Sequence, residues 1–457
     1  LNIKTGKIEK SLVTGSGANA PVLSANGKTL YVLNRFQHTV TKIDPDRGKI
    51  ISSVSVLREP AGAVTGQHGK YLFVANFLPA QRADVDTVAA CVSVIDLDDF
   101  KKVKDIQLSN GSNALRGICL SPDGKYVFVT HNLGRFQVPT NQLQQGWMNT
   151  SAVSVINVET LEKDGTVLMD EPERGAAGIW GIHCAEGKIV IAHSGTHEIS
   201  LIDYQTFIDK FEACTHKNSL DYDLRFMYSI RERLRLAGNG PRDFIISGGK
   251  AFIPTYFSDT LNIFSLADKQ IEPVPLVKNR IESDRDKGEK IFNDAHYCFQ
   301  NWQSCNGCHP GDARTDGLNW DLMNDGIGNP KNCKSLLHSH ATPPAMITGV
   351  RAMAEIAVRK GFTFIQFAEI GEHEAEYVDE YLKSLRPVPS PWLEDGELSG
   401  LAEKGKEVFE KLNCGDCHSG PYFTDMKMHR IGDDVEFEEG WDTPALSEVW
   451  RTAPYLF

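Results

Sequence analysis

Two short runs, Cys305-Asn306-Gly307-Cys308-His309 and Cys414-Gly415-Asp416-Cys417-His418, carry the chemistry this sequence offers most plainly. Two thiols three residues apart sit on one turn. Both can add to vinyl groups of a single porphyrin, while the adjoining imidazole lies on the proximal side of the iron. C-x-x-C-H is thus the attachment pattern of c-type haem, and two copies predict two covalent haems, with His309 and His418 as iron ligands. Zinc is the competing reading, because two Cys-x-x-Cys pairs can supply four thiolates. Such zinc knuckles usually lie roughly 15 to 20 residues apart, whereas these are separated by about a hundred. A redox dithiol needs no His directly after it.

Six cysteines remain: Cys91, Cys119, Cys184, Cys214, Cys298 and Cys333. Cys298 and Cys333 bracket the first motif; in an oxidising compartment they either close a disulfide around it or stay as buried thiols. The other four read as core residues. Haem attachment of this kind takes place outside the cytoplasm, so the periplasm or the cell surface is expected. The polar start Leu1-Asn2-Ile3-Lys4, which is no secretory signal, reads as that of a mature piece. No apolar stretch approaches the ~20 residues that cross a bilayer. At 457 residues, with 41% apolar and 24% charged, the chain holds two or three packed cores. Its net charge of −12 and lack of a basic stripe argue against a nucleic-acid partner.

The elements that position the motifs come in two textures. Through residues 1–278 a Gly-Lys turn repeatedly opens an apolar, β-branched or aromatic run: at Gly27-Lys28, Gly69-Lys70, Gly124-Lys125, Gly187-Lys188 and Gly249-Lys250. A second strand follows each, at Val40 to Asp44, Val92 to Asp96, Val153 to Asn157, Ile199 to Asp203 and Leu261 to Ser265, so each unit is a small antiparallel sheet. This spacing resembles that of the YVTN-type β-propellers of exported proteins. Leu1 to Val13 reads as the outer strands of an incomplete blade, which implies missing upstream sequence and six or seven blades in all. Three long inserts, Pro79 to Ala90, Leu133 to Thr150 and Phe207 to Arg242, are expected on the propeller faces. The third, with Arg225, Arg231, Arg233 and Arg235, reads as helical. It presents either a solvated basic face or a surface that docks on the acidic helical part. The lone histidines His131, His183, His193 and His197 read as structural or solvated.

From about Lys278 the periodicity turns helical. Ser283-Asp284-Arg285-Asp286 forms a capping box before a first helix. A second spans about Glu372 to Leu385, with Tyr377, Val378, Tyr381, Leu382 and Leu385 on one stripe, and a third, about Leu401 to Leu412, leads into the second motif. The proline-rich run Arg386 to Pro391 separates two lobes, 279–393 and 394–457, each with one haem.

The order helix, C-x-x-C-H, Thr342-Pro343, helix, Cys414 to Asp425, His429-Arg430-Ile431-Gly432, Thr443-Pro444-Ala445-Leu446 and Arg451 to Tyr455 resembles the bacterial di-haem cytochrome c peroxidases and MauG-type enzymes over about residues 281–457. The resemblance implies an all-α di-haem domain that reduces hydrogen peroxide at the His309 haem. Electrons would come from a small donor, a cytochrome c or a cupredoxin, through a six-coordinate His418 haem. Peroxide cleavage needs a vacant iron position and an acid/base beside it; a relay prefers saturated coordination. Glu355 occupies about the place of the family's catalytic Glu, with His338 and His340 as alternative distal groups, and Met426 or Met428 as the second ligand of the His418 iron. Trp320 is either an electron stepping stone or a packed side chain. The family often holds calcium between its haems with an Arg-Asn pair. Here the stretch reads His338-Ser339-His340-Ala341, which removes that ligand. The chain also stops at Phe457, where the family continues. A relay without enzymatic activity, and a MauG-like oxidase acting on a partner protein or on the propeller itself, are the other functions the pattern allows.

Overall fold

Each Gly-Lys turn becomes a tight reversal because its glycine takes the left-handed conformation: φ is +70°, +90°, +73°, +71° and +73° at Gly27, Gly69, Gly124, Gly187 and Gly249. Four of the five have open space around the missing Cβ, so backbone conformation and not crowding selects glycine there. The computed structural model describes residues 2, 4–138, 146–323, 326, 328, 330–432 and 439–455. Leu1 and Phe457 lie outside them.

Five successive antiparallel sheets follow the repeat. The first holds β1 (Ala18–Leu23), β2 (Leu30–Asn34), β3 (Thr39–Asp44) and β4 (Lys49–Ser55). The second holds β5 (Pro60–Gly66), β6 (Tyr71–Asn76), β7 (Cys91–Asp96) and β8 (Lys101–Gln107). The third consists of β9 (Ser112–Asn113), β10 (Ile118–Leu120), β11 (Tyr126–Gly134), β12 (Asn149–Asn157) and β13 (Glu162–Leu168). The fourth comprises β14 (Ile179–Ala185), β15 (Lys188–His193), β16 (Glu198–Asp203) and β17 (Arg231–Arg235); the fifth, β18 (Ile245–Ser247), β19 (Lys250–Thr255), β20 (Thr260–Ser265) and β21 (Ile271–Pro275). Successive inner strands pack in series, β1 on β5, β5 on β10, β10 on β14 and β14 on β18, in a propeller-like array. Its core lies between blades: Leu33 and Val40 meet Leu72 and Val74, Phe73 and Val94 meet Val127 and Val129, and Val190 and Ile199 meet Ala251 and Phe264. Each large side chain buried this way contributes about 1.5–3 kcal/mol.

A polar signature repeats with the strands. At the same place in four blades a side chain of the second strand reaches a hydroxyl of the third: Asn34 to Thr41, Asn76 to Ser93, His131 to Ser154 and His193 to Ser200, at 2.8–3.0 Å. Burial pushes His131 and His193 down to about 4 and about 3, so both are neutral structural histidines.

Three expectations change here. Five blade-like sheets, four of four strands and one of five, are present among the described residues, not six or seven, and the described part of residues 1–13 forms no strand. In the third insert only α1 (Tyr204–Glu212) is an α-helix; Arg231, Arg233 and Arg235 sit on the outer strand β17. There Arg231 and Arg233 are neither solvated nor docked on the helical part, because they pair with Glu171 and Glu198. Residues 139–145 of the second insert lie outside the described residues.

The helical region has α2 (Asp284–Asn293), α3 (Cys305–Cys308), α4 (Pro310–Ala313), α5 (Ala354–Phe364), α6 (Glu372–Lys383) and α7 (Gly400–Lys411). Two short ladders, 319–320 with 331–332 and 428–429 with 441–442, interrupt the all-α expectation. Both halves of the capping box at Ser283 form, and α2 packs against α6 through Ile291, Phe292, Val378, Tyr381 and Leu382. No helix among the described residues is long and apolar enough to cross a membrane.

The sheets and the helical region are joined by buried charge. Glu59, at the start of the second blade, accepts from Arg35 (2.8 Å) and from Arg451 (3.0 Å); Arg451 also donates to the Gly311 carbonyl, two residues after His309. Next to it Arg314 clasps Glu448 at 2.7 and 3.0 Å, which ties the two halves of the helical region to each other.

Candidate functional site

The two Cys-x-x-Cys-His runs adopt the same local geometry. In each, the His backbone N–H closes the turn on the carbonyl of the first Cys, at 3.0 Å for His309 and 2.9 Å for His418. Each imidazole then places Nδ1 3.1 Å from the carbonyl five residues on: His309 to Arg314 and His418 to Phe423. A carbonyl only accepts, so the proton sits on Nδ1 and the lone pair of Nε2 is left for a metal. All four thiols are free, not paired as disulfides. Free thiols on one turn and an imidazole of fixed tautomer are the features that thioether attachment and iron ligation require, so both runs fit a c-type haem. Such a haem would be held by Cys305, Cys308 and His309 at one run and by Cys414, Cys417 and His418 at the other.

Their surroundings differ. The first run is wedged against the sheets: Asn149 on β12 donates to Gln303 Oε1 (3.0 Å) and to Cys308 Sγ (3.1 Å), and Gln366 donates to Cys305 Sγ (3.2 Å). Val88 and Met148, from the segments before β7 and β12, pack with Cys308, Leu318 and Trp320. Burial pushes the Cys305 thiol up to about 12 and the Cys308 thiol higher. The second run lies at the surface. It follows α7, which has no buried residue, and Leu412 and Phe423 beside it are 67% and 49% exposed.

The structure brings a carboxyl to the first run that sequence reasoning missed. Asp316 is fully buried, accepts from the Leu318 N–H (3.0 Å) and Trp320 Nε1 (2.8 Å), and is lifted by desolvation to about 7. Its field also raises the Cys308 and Cys333 thiols. An Asp followed by Trp four residues later is too common a pattern to have found it. Cys333, one of the two cysteines that bracket the motif, lies with its Sγ against the His309 ring, 3.5 Å from Nδ1, and donates to the Cys308 carbonyl at 2.9 Å. It forms no disulfide with Cys298, and both are free. Trp320 is packed, as one of its two readings had it.

The other candidates are scattered. His340 Nε2 lies 3.0 Å from Asp379, which also binds Arg359; His338 packs on Tyr422, ring centroids 4.6 Å apart, across the junction of the two halves. Glu355, in the first turn of α5, is about a third exposed, with Lys383 at 3.9 Å. Met426 is 46% exposed, while Met428 lies close to Gly349 of the first half.

No family model matches the chain. It is 28% identical over 186 residues to hydrazine synthase subunit gamma of Kuenenia stuttgartiensis, covering 35% of this chain and 52% of that one. It is 24% identical over 194 residues to hydrazine synthase subunit beta of the same organism, covering 40% and 50%. The chain therefore spans about half the length of the curated relatives it matches. Among solved structures, Kuenenia stuttgartiensis hydrazine synthase aligns with a TM-score of 0.41 and 20% identity, over 58% of this chain and 88% of that chain. The U3-55K structure aligns with a TM-score of 0.39 and 8% identity, over 57% and 64%. Over part of its length the chain is thus similar to two subunits of a hydrazine synthase.

Proposed function

We propose that this chain is the di-haem, c-type cytochrome part of an extracytoplasmic oxidoreductase, with substrate chemistry at the His309 site and electron exchange at the His418 site. The observation that carries the reading is the shared hydrogen bond from His309 and His418 Nδ1 to the carbonyl five residues on, which presents Nε2 of both rings to iron. Bound haem would supply a redox-active iron with an open or openable position. Around it the chain's own residues divide the work. Asn149 and Gln366 fix the two thiols of the first turn, the packed wall of Met148, Leu318 and Trp320 excludes water, and Asp316 holds or releases a proton near neutrality. The exposed second turn suits a partner that must approach closely to pass electrons. The propeller-like sheets serve as the wall of the first site and as a docking platform.

Hydrogen peroxide, with a small cytochrome c or cupredoxin as donor, is the substrate implied by the di-haem peroxidase resemblance. A second reading rests on the curated relatives: a small inorganic nitrogen compound is converted, with this chain working as one subunit of a larger assembly. The decisive experiment matures the chain in a periplasm competent for c-type haem and weighs the denatured polypeptide. A mass two haems above the chain is expected, and a mass with none or one sinks the proposal. Turnover of peroxide with a reduced cytochrome then supports the first reading, whereas hydrazine release from nitrogen precursors without peroxide turnover supports the second.

A further inference from the structure

Away from both Cys-x-x-Cys-His turns, two imidazoles and a carboxylate meet across the seam between the sheets and the helical region. His197 lies in the turn between β15 and β16; Asp294 and His296 follow α2. Asp294 Oδ2 is 3.1 Å from His197 Nε2, and Asp294 Oδ1 is 2.8 Å from His296 Nδ1. One ligand atom of each residue lies within 4.8 Å of the other two. We propose that His197, Asp294 and His296 hold one divalent d-block cation, of which zinc is the model, and that this ion clamps the propeller-like region to the helical region.

The argument starts from His197. It is 1% exposed, and its Nε2, although close to the Asp294 carboxylate, makes no hydrogen bond. Its Nδ1 lies 2.8 Å from the Ser194 carbonyl and 3.1 Å from the Gly240 N–H. The Gly240 N–H donates to the same nitrogen, and the carbonyl contact, the shorter of the two, favours the ring proton on Nδ1. Nε2 is then a lone pair facing a carboxylate oxygen, two acceptors that a shared proton or a metal cation between them reconciles. A hydrogen bond from Nε2 to the carboxylate would want near-linear alignment, which is missing. A metal takes the pair at an angle instead, since two bonds of about 2.0–2.1 Å in a tetrahedron separate the ligand atoms by roughly 3.3 Å. Donation from the far ring nitrogen to a backbone carbonyl is also the usual support of a metal-bound imidazole.

The site is held from both sides. The Ala295 N–H donates to the Gly195 carbonyl (2.9 Å), Asn301 binds the Ala295 carbonyl (3.1 Å), and Asp294 Oδ1 takes the His296 backbone N–H (2.9 Å). Arg235 binds the carbonyls of Thr196 and His197, which fixes the turn that carries His197. The rings of His197 and His296 stack at 5.2 Å, so a small movement of His296 brings its Nδ1 onto the ion. The His296 side chain is 50% exposed, which leaves a route for the metal to enter and a fourth position for water. Two imidazoles and one carboxylate select a borderline ion such as zinc over calcium or magnesium.

The test uses the full chain, treated with chelator and then dialysed against zinc chloride, beside the His296→Gln and Asp294→Asn variants. His296 is exposed, so its replacement leaves folding intact. Metal analysis is expected to find one zinc per chain more in the wild type than in either variant, and zinc is expected to raise the thermal midpoint of the wild type alone, reversibly with chelator. Zinc on exposed groups such as His373 would be common to all three proteins. Equal zinc content in wild type and His296→Gln, or a midpoint that zinc moves equally in both, overturns the proposal.

Discussion

The two Cys-x-x-Cys-His turns are near copies in backbone and opposites in setting. Both close on the first Cys carbonyl and both point Nδ1 at the carbonyl five residues on. Yet the first is enclosed by β12, the Met148 and Trp320 wall and a buried carboxyl, while the second follows a helix with no buried residue. The shared part is dictated by five residues of sequence and, in the proposed function, serves ligation. The part that differs comes from β12, 159 residues from Cys308, and from the loop that follows the first turn, and it decides what each site can do. A low-dielectric, enclosed site strengthens every charge interaction and keeps water from competing, which suits bond-making chemistry; an exposed one suits electron exchange with a partner.

Removing the two histidines separately breaks that comparison most sharply. His309→Ala is expected to abolish substrate turnover, by on the order of 10³-fold or about 4 kcal/mol of barrier. His418→Ala is expected to spare the reaction of pre-reduced protein with peroxide in a single turnover while stopping steady-state turnover from an external donor. Stopped-flow spectra during peroxide addition distinguish the two, and equal defects in both phases would erase the proposed division of labour.

The next effect is on the seam that seats the first turn. Glu59 is buried between Arg35 and Arg451, and despite the desolvation that opposes it these cations hold its carboxyl down at about 2. A depressed folded value means that its stabilisation is complete above the ordinary value near 4.5 and is lost as pH falls toward 2. About 3 kcal/mol is at stake on the pKa shift alone. Glu59→Gln leaves two arginines facing a neutral amide and is expected to cost about 3–5 kcal/mol in urea unfolding at pH 7, with a flatter acid limb than the wild type. A smaller loss follows from Asn149→Ala, which removes the donor to Cys308 and Gln303: about 1–2 kcal/mol, felt at the first site and not at the second.

Legibility in the sequence divides along the same line as the comparison. Five Gly-Lys turns, the later strand of each blade, the Ser283 capping box and the stripe on α6 were all readable, because each is decided by a few neighbouring residues. The tight turns of both Cys-x-x-Cys-His runs are local in the same way. What escaped is non-local. Arg231 and Arg233 read as helix because their apolar spacing is ambiguous; the ladder with β16 and the buried carboxylates Glu171 and Glu198 make them strand. Asp316 and Cys333 are ordinary residues in sequence, and only the folding of chain over His309 turns one into a buried carboxyl and sets the other against the imidazole. The Leu133 to Thr150 insert reads as a surface loop, whereas its ends extend β11 and β12 and bring Asn149 to Cys308.

Asp316 supplies the finest probe of the difference between the sites. Burial lifts its carboxyl from near 3.8 to about 7, so folding takes up a proton between those values. Its contribution to stability is present in full below 3.8 and is lost as pH rises through 7. At neutrality the group titrates beside the first turn, and its charge acts on Cys308. Reduction of a neighbouring centre makes the field more negative, which favours the protonated acid, so electron and proton uptake are coupled there. The wild-type midpoint potential of the first site is therefore expected to fall with pH around 7, by up to ~59 mV per unit, the value for one proton per electron. Asp316→Asn keeps the shape and removes the titration, and the slope at the first site is expected to flatten while the second site stays unchanged in both proteins. A spectroelectrochemical titration from pH 5.5 to about 8.5 reads both sites at once. A slope that persists in the variant would assign the proton to another group and leave Asp316 as a packing residue held by Leu318 and Trp320.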